Sequence, residues 1–170
     1  KSVNRRSIWL AVNLITAFLA SWVIGLFETT IQKQVALAVL MPIVASMGGI
    51  AGSQTLTLVI RSMALGQLNS KNERWLLRKE MLVGATNGLI WATAIAVVTV
   101  IWFNSLSLGL LIGSAIVINL VAAALAGVTI PLGLKRIGID PALSGSVLLT
   151  TVTDVVGFVA FLGFAKLFIV

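Results

Sequence analysis

Five apolar runs, each long enough to cross a bilayer, leave this 170-residue chain little choice of fold: residues 8–27, 35–60, 81–103, 106–134 and 142–170. A membrane-spanning helix needs about 20 predominantly apolar residues. Barrel strands are shorter, about 10 residues, and alternate between apolar and polar positions. These runs are continuous, so the expected fold is an all-α integral membrane protein of five transmembrane helices, with residues 1–170 forming a single domain. At 59% hydrophobic and 10% charged residues, the composition lies outside that of a soluble domain. The first run ends at Glu28 and not at a small-residue cleavage site, which argues against a signal peptide. A chain that starts at Lys1 without Met reads as a segment of a longer protein.

The formal charge of +7 would suit nucleic acid if it were gathered on one surface, but it follows the connections between the runs. With the N-terminus in the cytoplasm, Lys1, Arg5, Arg6, Arg61, Lys71, Arg74, Arg78, Lys79, Lys135 and Arg136 fall inside, and only Lys33 and Lys166 fall outside. Cytoplasmic loops of membrane proteins carry an excess of Lys and Arg. The expected topology is therefore N-terminus in and C-terminus out, multi-pass in the cell inner (plasma) membrane. The cations would contact anionic lipid headgroups, and no nucleic-acid partner is implied.

With no Cys and no His, the chain offers no thiolate or imidazole metal site, no disulfide and no Cys- or His-based catalysis. The second run carries Pro42, Gly48, Gly49 and Gly52, so its helix is expected to kink or partly unwind near mid-membrane. Irregular backbone at that depth is tolerated where it is buried or lines a watery cavity. Pro131 should loosen the cytoplasmic end of the fourth run. KNERWLLRKE, before the third run, interleaves cations with Trp75, Leu76 and Leu77 and reads as an amphipathic segment on the inner leaflet. Asp140 followed by Pro141 is a helix start, which accounts for that carboxylate as a cap. Glu28 lies at a membrane boundary, where an acid is inexpensive. Gly84-x-x-x-Gly88 and Gly109-x-x-x-Gly113 match small-residue helix packing. Asn13, Asn87 and Asn119 are expected to bond between helices. No internal repeat is evident, so a symmetric pathway would need a second copy of the chain.

One acidic residue stands apart. Asp154 falls near the middle of the last run, where a carboxylate costs at least ~2.5 kcal/mol and usually marks an ion or proton pathway. On a 3.6-residue period, Ser146, Thr150, Asp154 and Gly157 form one stripe. Ser46, Gly49, Ser53 and Thr57 form another on the second run, with Gly52 and Gln54 adjacent. Two such stripes at similar depth would make two walls of an ion path. The bland alternatives are that Asp154 bonds to Asn119 or Asn87, and that the small residues serve helix packing. Oxygen ligands alone favour hard cations such as Mg²⁺ or Ca²⁺. Mg²⁺ is often held through retained waters by one or two carboxylates, whereas bare Ca²⁺ would need six to eight oxygens. Two facing copies of Asp154 would neutralise one divalent ion.

The string PIVASMGGIAGSQTLTLVIRSMALGQ, followed by DPALSGSVLLTTVTDVVGF, closely resembles the MgtE family of Mg²⁺ channels and transporters. The paired motifs are GGxAGSQ with a downstream arginine, then DPA and TDxxG, and the resemblance extends over essentially the whole chain. It implies a homodimer with a central pore built from the second and fifth spans of both copies. It places the pore aspartate on Asp154, a backbone carbonyl ligand one turn earlier on Thr150, and ion-facing glycines on Gly49 and Gly52. Two positions depart from the family pattern: Ile50, where many relatives have Asn, and Ser146, where some do. Full-length relatives also carry a cytosolic N-terminal domain and CBS domains that regulate the pore.

The expected function is a pore that conducts hydrated Mg²⁺, with Mn²⁺, Co²⁺ and Ca²⁺ as further candidate ions, into the cytoplasm without ATP. A competing reading is a proton- or sodium-coupled carrier with Asp154 as its coupling site. An intramembrane aspartyl protease would need two membrane carboxylates in one chain, so no enzyme is expected. A purely structural subunit is the remaining alternative.

Overall fold

The computed structural model describes residues 2–68 and 72–169, with side chains described from residue 7 onward. Lys1 and Lys71 of the charge pattern, and Val170 at the end of the last run, lie outside the described residues, and the side chains of Arg5 and Arg6 are not described. Every element among the described residues is helical: α1 (Ser2–Gly25), α2 (Glu28–Lys33), α3 (Ala36–Ala64), α4 (Glu73–Phe103), α5 (Leu106–Arg136) and α6 (Pro141–Phe168). Five are long and apolar enough to cross a membrane; α2 is not. This short extra helix forms within FETTIQKQ, where Gln32 Nε2 donates to Glu28 Oε1 at 3.1 Å, one turn earlier.

The chain's own punctuation sets the helix ends. At 1.5 Å per residue, α3 is about 43 Å long, more than the ~30 Å hydrocarbon layer. It ends in a Schellman turn: Gly66 takes a left-handed φ of 67°, and Gln67 N donates to Ser62 O. The end of α5 repeats the device, with Gly138 at φ 74° and Ile139 N bonded to Leu134 O. Between α4 and α5, Asn104 adopts the left-handed conformation and Ser105 caps Leu108 N. Asp140 caps α6 by accepting from Ala142 N at 2.9 Å, with Pro141 as the first helical residue.

α5 is the centre of the bundle and packs against α3, α4 and α6. Its residues are apolar all round, and Ile112, Ala115, Ile116, Asn119 and Ala123 are fully enclosed. α1 packs on α6, with Ala20 and Val23 buried and Ile24 against the same core, and most of its other described side chains are exposed. The outer faces of α1 and α4 expose Leu10, Phe18, Trp22, Leu82, Trp91 and Ile101, a surface matched to lipid chains.

Glycines set how closely the helices approach. A Cβ on Gly84 would sit 2.7 Å from Ala124 Cβ and 3.1 Å from the Leu120 carbonyl oxygen. One on Gly113 would lie 3.4 Å from the Ala92 carbonyl, and one on Gly109 would collide with Val100. Both GxxxG motifs therefore lie in the α4–α5 seam, where small residues bring backbones together.

The unwinding expected in α3 does not occur. The helix is continuous from Ala36 to Ala64, although Pro42 leaves the Ala38 carbonyl without its helical donor. Its glycines are used for approach instead of irregularity: a Cβ on Gly48 would collide with the Asn119 amide, and one on Gly52 would sit 2.7 Å from Leu149 Cδ1. α5 likewise runs past a buried Pro131 to Arg136.

If these seams hold the bundle together, Gly84→Leu should force α4 off α5. Overpacking of this kind costs about 1–3 kcal/mol. A clearly lowered Tm in thermal unfolding of detergent-solubilised protein is the expected outcome.

Candidate functional site: a polar groove between the third and sixth helices

Asp154 is the fourteenth of the 28 residues of α6, so about 20 Å of helix lies between it and Pro141. The carboxylate is half-buried and opens onto a groove of about 960 Å³. α3 supplies Ser46, Gly49, Ser53 and Thr57 on the groove wall, together with Ala45, Ile50, Gln54 and Leu58; α6 supplies Thr150 and Asp154. This places α3 residues at spacings of three and four on one face, and α6 residues one turn apart. A Cβ on Gly49 would have nothing within 4 Å, so this glycine presents bare backbone to open space.

The two threonine hydroxyls of the groove are tied back to their own helices. Thr57 Oγ1 donates to Ser53 O at 2.8 Å, and Thr150 Oγ1 donates to Ser146 O at 3.0 Å and Val147 O at 3.1 Å. With the protons so committed, these hydroxyl oxygens keep lone pairs for a cation or its waters. The Thr150 carbonyl accepts from Thr153 Oγ1 at 3.1 Å, a contact from a fully buried neighbour. Among the described residues Asp154 has neither a hydrogen bond nor an ion pair. The bond to Asn119 or Asn87 considered from the sequence is not formed.

Three positions on the sequence-derived stripes do not line this groove. Gly157 faces the bundle interior, where a Cβ would sit 2.6 Å from Asn119 Nδ2 and 3.0 Å from Val44 Cγ1. Gly52 packs under Leu149, and its carbonyl oxygen approaches Gly127. Ser146 is exposed, one turn before Thr150 and outside the lining. Gly157 is offset by only about 60° from Asp154 around α6, and it is the close approach of Asn119 and Val44 at that position that turns it to the interior.

Asn119 is the interior counterpart of the groove. Its Nδ2 donates to the Val44 carbonyl at 2.9 Å, while its Oδ1 is buried without a partner. The amide lies against Gly48 of α3 and Gly157 of α6, locking both groove-forming helices to α5. Of the other asparagines, Asn87 is exposed on α4 and Asn13 is exposed on α1.

The segment before the third run differs most from the sequence reading. Residues 73–80 of KNERWLLRKE do not lie apart as a surface segment: they form the first turns of α4, which begins at Glu73. Glu73 pairs with Arg136 at 2.6 Å, Lys79 stacks over Trp75, and Glu80 turns inward, 4% exposed, to accept from Thr55 Oγ1 at 3.2 Å. The spacing could have flagged Glu80, since it precedes Gly84 by one helical turn and therefore shares the buried seam.

The absence of Cys makes the groove testable by chemistry. Single Cys substitutions at Ser46, Ser53 or Thr57 should react readily with a water-soluble methanethiosulfonate reagent in reconstituted protein. Cys at Leu149 or Thr153 should remain at least about tenfold slower, because both side chains are enclosed.

The model of the MgtE family, described as a divalent cation transporter, matches residues 41–164. The chain is 32% identical over 165 residues to the magnesium transporter MgtE of Bacillus subtilis, covering 97% of this chain and 37% of that protein. It is 33% identical over 159 residues to the magnesium transporter MgtE of Thermus thermophilus, covering 94% of this chain and 35% of that protein. The chain thus spans a little over a third of the length of these curated relatives.

Proposed function

This chain belongs to the MgtE family of divalent cation transporters, and from that premise we propose that residues 1–170 form the pore domain of a Mg²⁺ channel in which two chains share one ion. The observation that carries this reading is Asp154 itself: an unpaired carboxylate halfway along a membrane-length helix, facing a groove walled by hydroxyls, an amide and bare glycine backbone. A charge at that depth is expensive unless it serves an ion or proton path.

One chain supplies one carboxylate and one open wall. A two-fold copy facing it closes the wall and adds the second carboxylate, which neutralises a divalent ion on the axis. Mg²⁺ sheds its waters reluctantly, so it passes hydrated. The two Asp154 carboxylates then hold it through those waters, helped by the Thr150 carbonyl and the backbone at Gly49. Gly52 acts by letting α6 close on α3, and Ser46, Ser53 and Thr57 supply oxygens along the path. Gly157 and Ser146 act from outside the groove lining.

The domain sits multi-pass in the plasma (inner) membrane, N-terminus in and C-terminus out, with its cytoplasmic cations against anionic lipid. A negative-inside potential drives a divalent ion inward by about 4.6 kcal/mol per 100 mV, twice the single-charge value.

Mg²⁺ uptake into proteoliposomes at fixed voltage tests this. The parent chain should take up Mg²⁺, and Asp154→Ala, in matched amounts of folded protein, should lose nearly all of it. Uptake that follows an imposed pH or Na⁺ gradient in place of voltage would identify a coupled carrier instead. Because two facing carboxylates repel, protons should compete with Mg²⁺, and Mg²⁺ affinity should fall as pH is lowered toward about 5. A flat affinity over that range would count against a paired site.

A further inference from the structure

Glu80 has no place in the conduction path, yet it is an enclosed carboxylate in a membrane-spanning helix. It is the eighth residue of α4, about 10 Å along the helix, and only 4% exposed. One carboxylate oxygen accepts from the Thr55 hydroxyl at 3.2 Å. Among the described residues, no Lys or Arg pairs with it and none lines the space beside it. That space is a small cavity of about 80 Å³ between α3, α4 and α5. Gln54, Thr55 and Asn87 bring side-chain oxygens to its lining, and Gly84 and Leu120 complete it on the α4–α5 side. The absence of a side chain on Gly84 keeps the Leu120 carbonyl within reach: a Cβ there would sit 3.1 Å from that oxygen.

We propose that this cavity is a second cation site, distinct from the groove, which holds a single Na⁺ against Glu80. An enclosed ionised carboxylate without a compensating charge is costly, and intramembrane acids generally pair or bind ions. Every polar group on the lining is an amide, a hydroxyl or a carboxylate, and oxygen donors of this kind select hard cations. Charge separates the monovalent from the divalent case. The groove is open to a facing copy that can bring a second carboxylate, whereas Glu80 is itself buried between helices of one chain and is the one acid on the lining of its cavity among the described residues. One carboxylate matches one positive charge, and Mg²⁺ there would leave a net charge buried and would have to surrender its waters. Gln54 belongs to the linings of both spaces, so a bound ion clamps the groove-facing edge of α3 to α4.

The inference concerns binding and is independent of conduction. Equilibrium ²²Na⁺ binding would be measured on the purified chain in nanodiscs, in an Asp154→Asn background that removes the groove carboxylate, with N-methylglucamine chloride balancing ionic strength. One saturable Na⁺ per chain is expected. Glu80→Gln should weaken it about tenfold or more, and Thr55→Val, which keeps the carboxylate, should weaken it less. Absence of saturable binding, or binding unchanged by Glu80→Gln, would overturn the proposal. Should Glu80→Gln fail to fold, unchanged affinity in Thr55→Val would overturn it equally. So would a protonated-carboxyl infrared band that persists in saturating Na⁺ and shifts in Glu80→Asp.

Discussion

The close fit of small residues around α5 is the constraint on which the rest of the structure depends. In lipid there is no hydrophobic force between helices, so contact area and buried hydrogen bonds must hold a bundle together. α5 provides both. Gly109 and Gly113 receive α4, Gly127 receives Thr55 and the Gly52 carbonyl of α3, and the Asn119 amide bonds to Val44 while packing against Gly157. α3, α4 and α6 are thereby fixed to one central rod, and the orientation of the α3 and α6 faces follows from how they seat on it.

That seating divides the polar residues into two populations. Those in the seams around α5 are enclosed and bonded, as Asn119, Thr55 and Glu80 are. Those facing away, Ser46, Ser53, Thr57, Thr150 and Asp154, share an open groove that no helix of the same chain covers. A lone carboxylate in such a groove is poorly accounted for by a single chain, and it becomes economical once a facing copy and a divalent ion complete the site. The family assignment and the geometry thus support the same proposal from separate directions.

Much of this was legible in the sequence, for identifiable reasons. The apolar runs gave the five long helices because bilayer thickness imposes a length, and Asp140-Pro141 gave the start of α6 because caps are local chemistry. The groove residues on α3 and α6 were legible because a helical period converts spacing into a shared face. The interior was less so. Gly48 and Gly52 looked like sites of unwinding, but a glycine signals either irregular backbone or close approach, and only the partner helix decides which. Gly157 looked aligned with Asp154, but the packing of Asn119 and Val44 against it, which spacing does not reveal, places it in the interior. Glu80 was hidden within a run of cations that reads as surface, although its register with Gly84 places it in the α4–α5 seam.

The central claim is that two chains share one divalent ion through Asp154. The most direct test is a Mn²⁺ titration followed by electron paramagnetic resonance on the purified chain in nanodiscs. The account predicts one saturable, Mg²⁺-displaceable site for every two chains, abolished by Asp154→Asn. A stoichiometry of one ion per chain, or a site that survives Asp154→Asn, would contradict it.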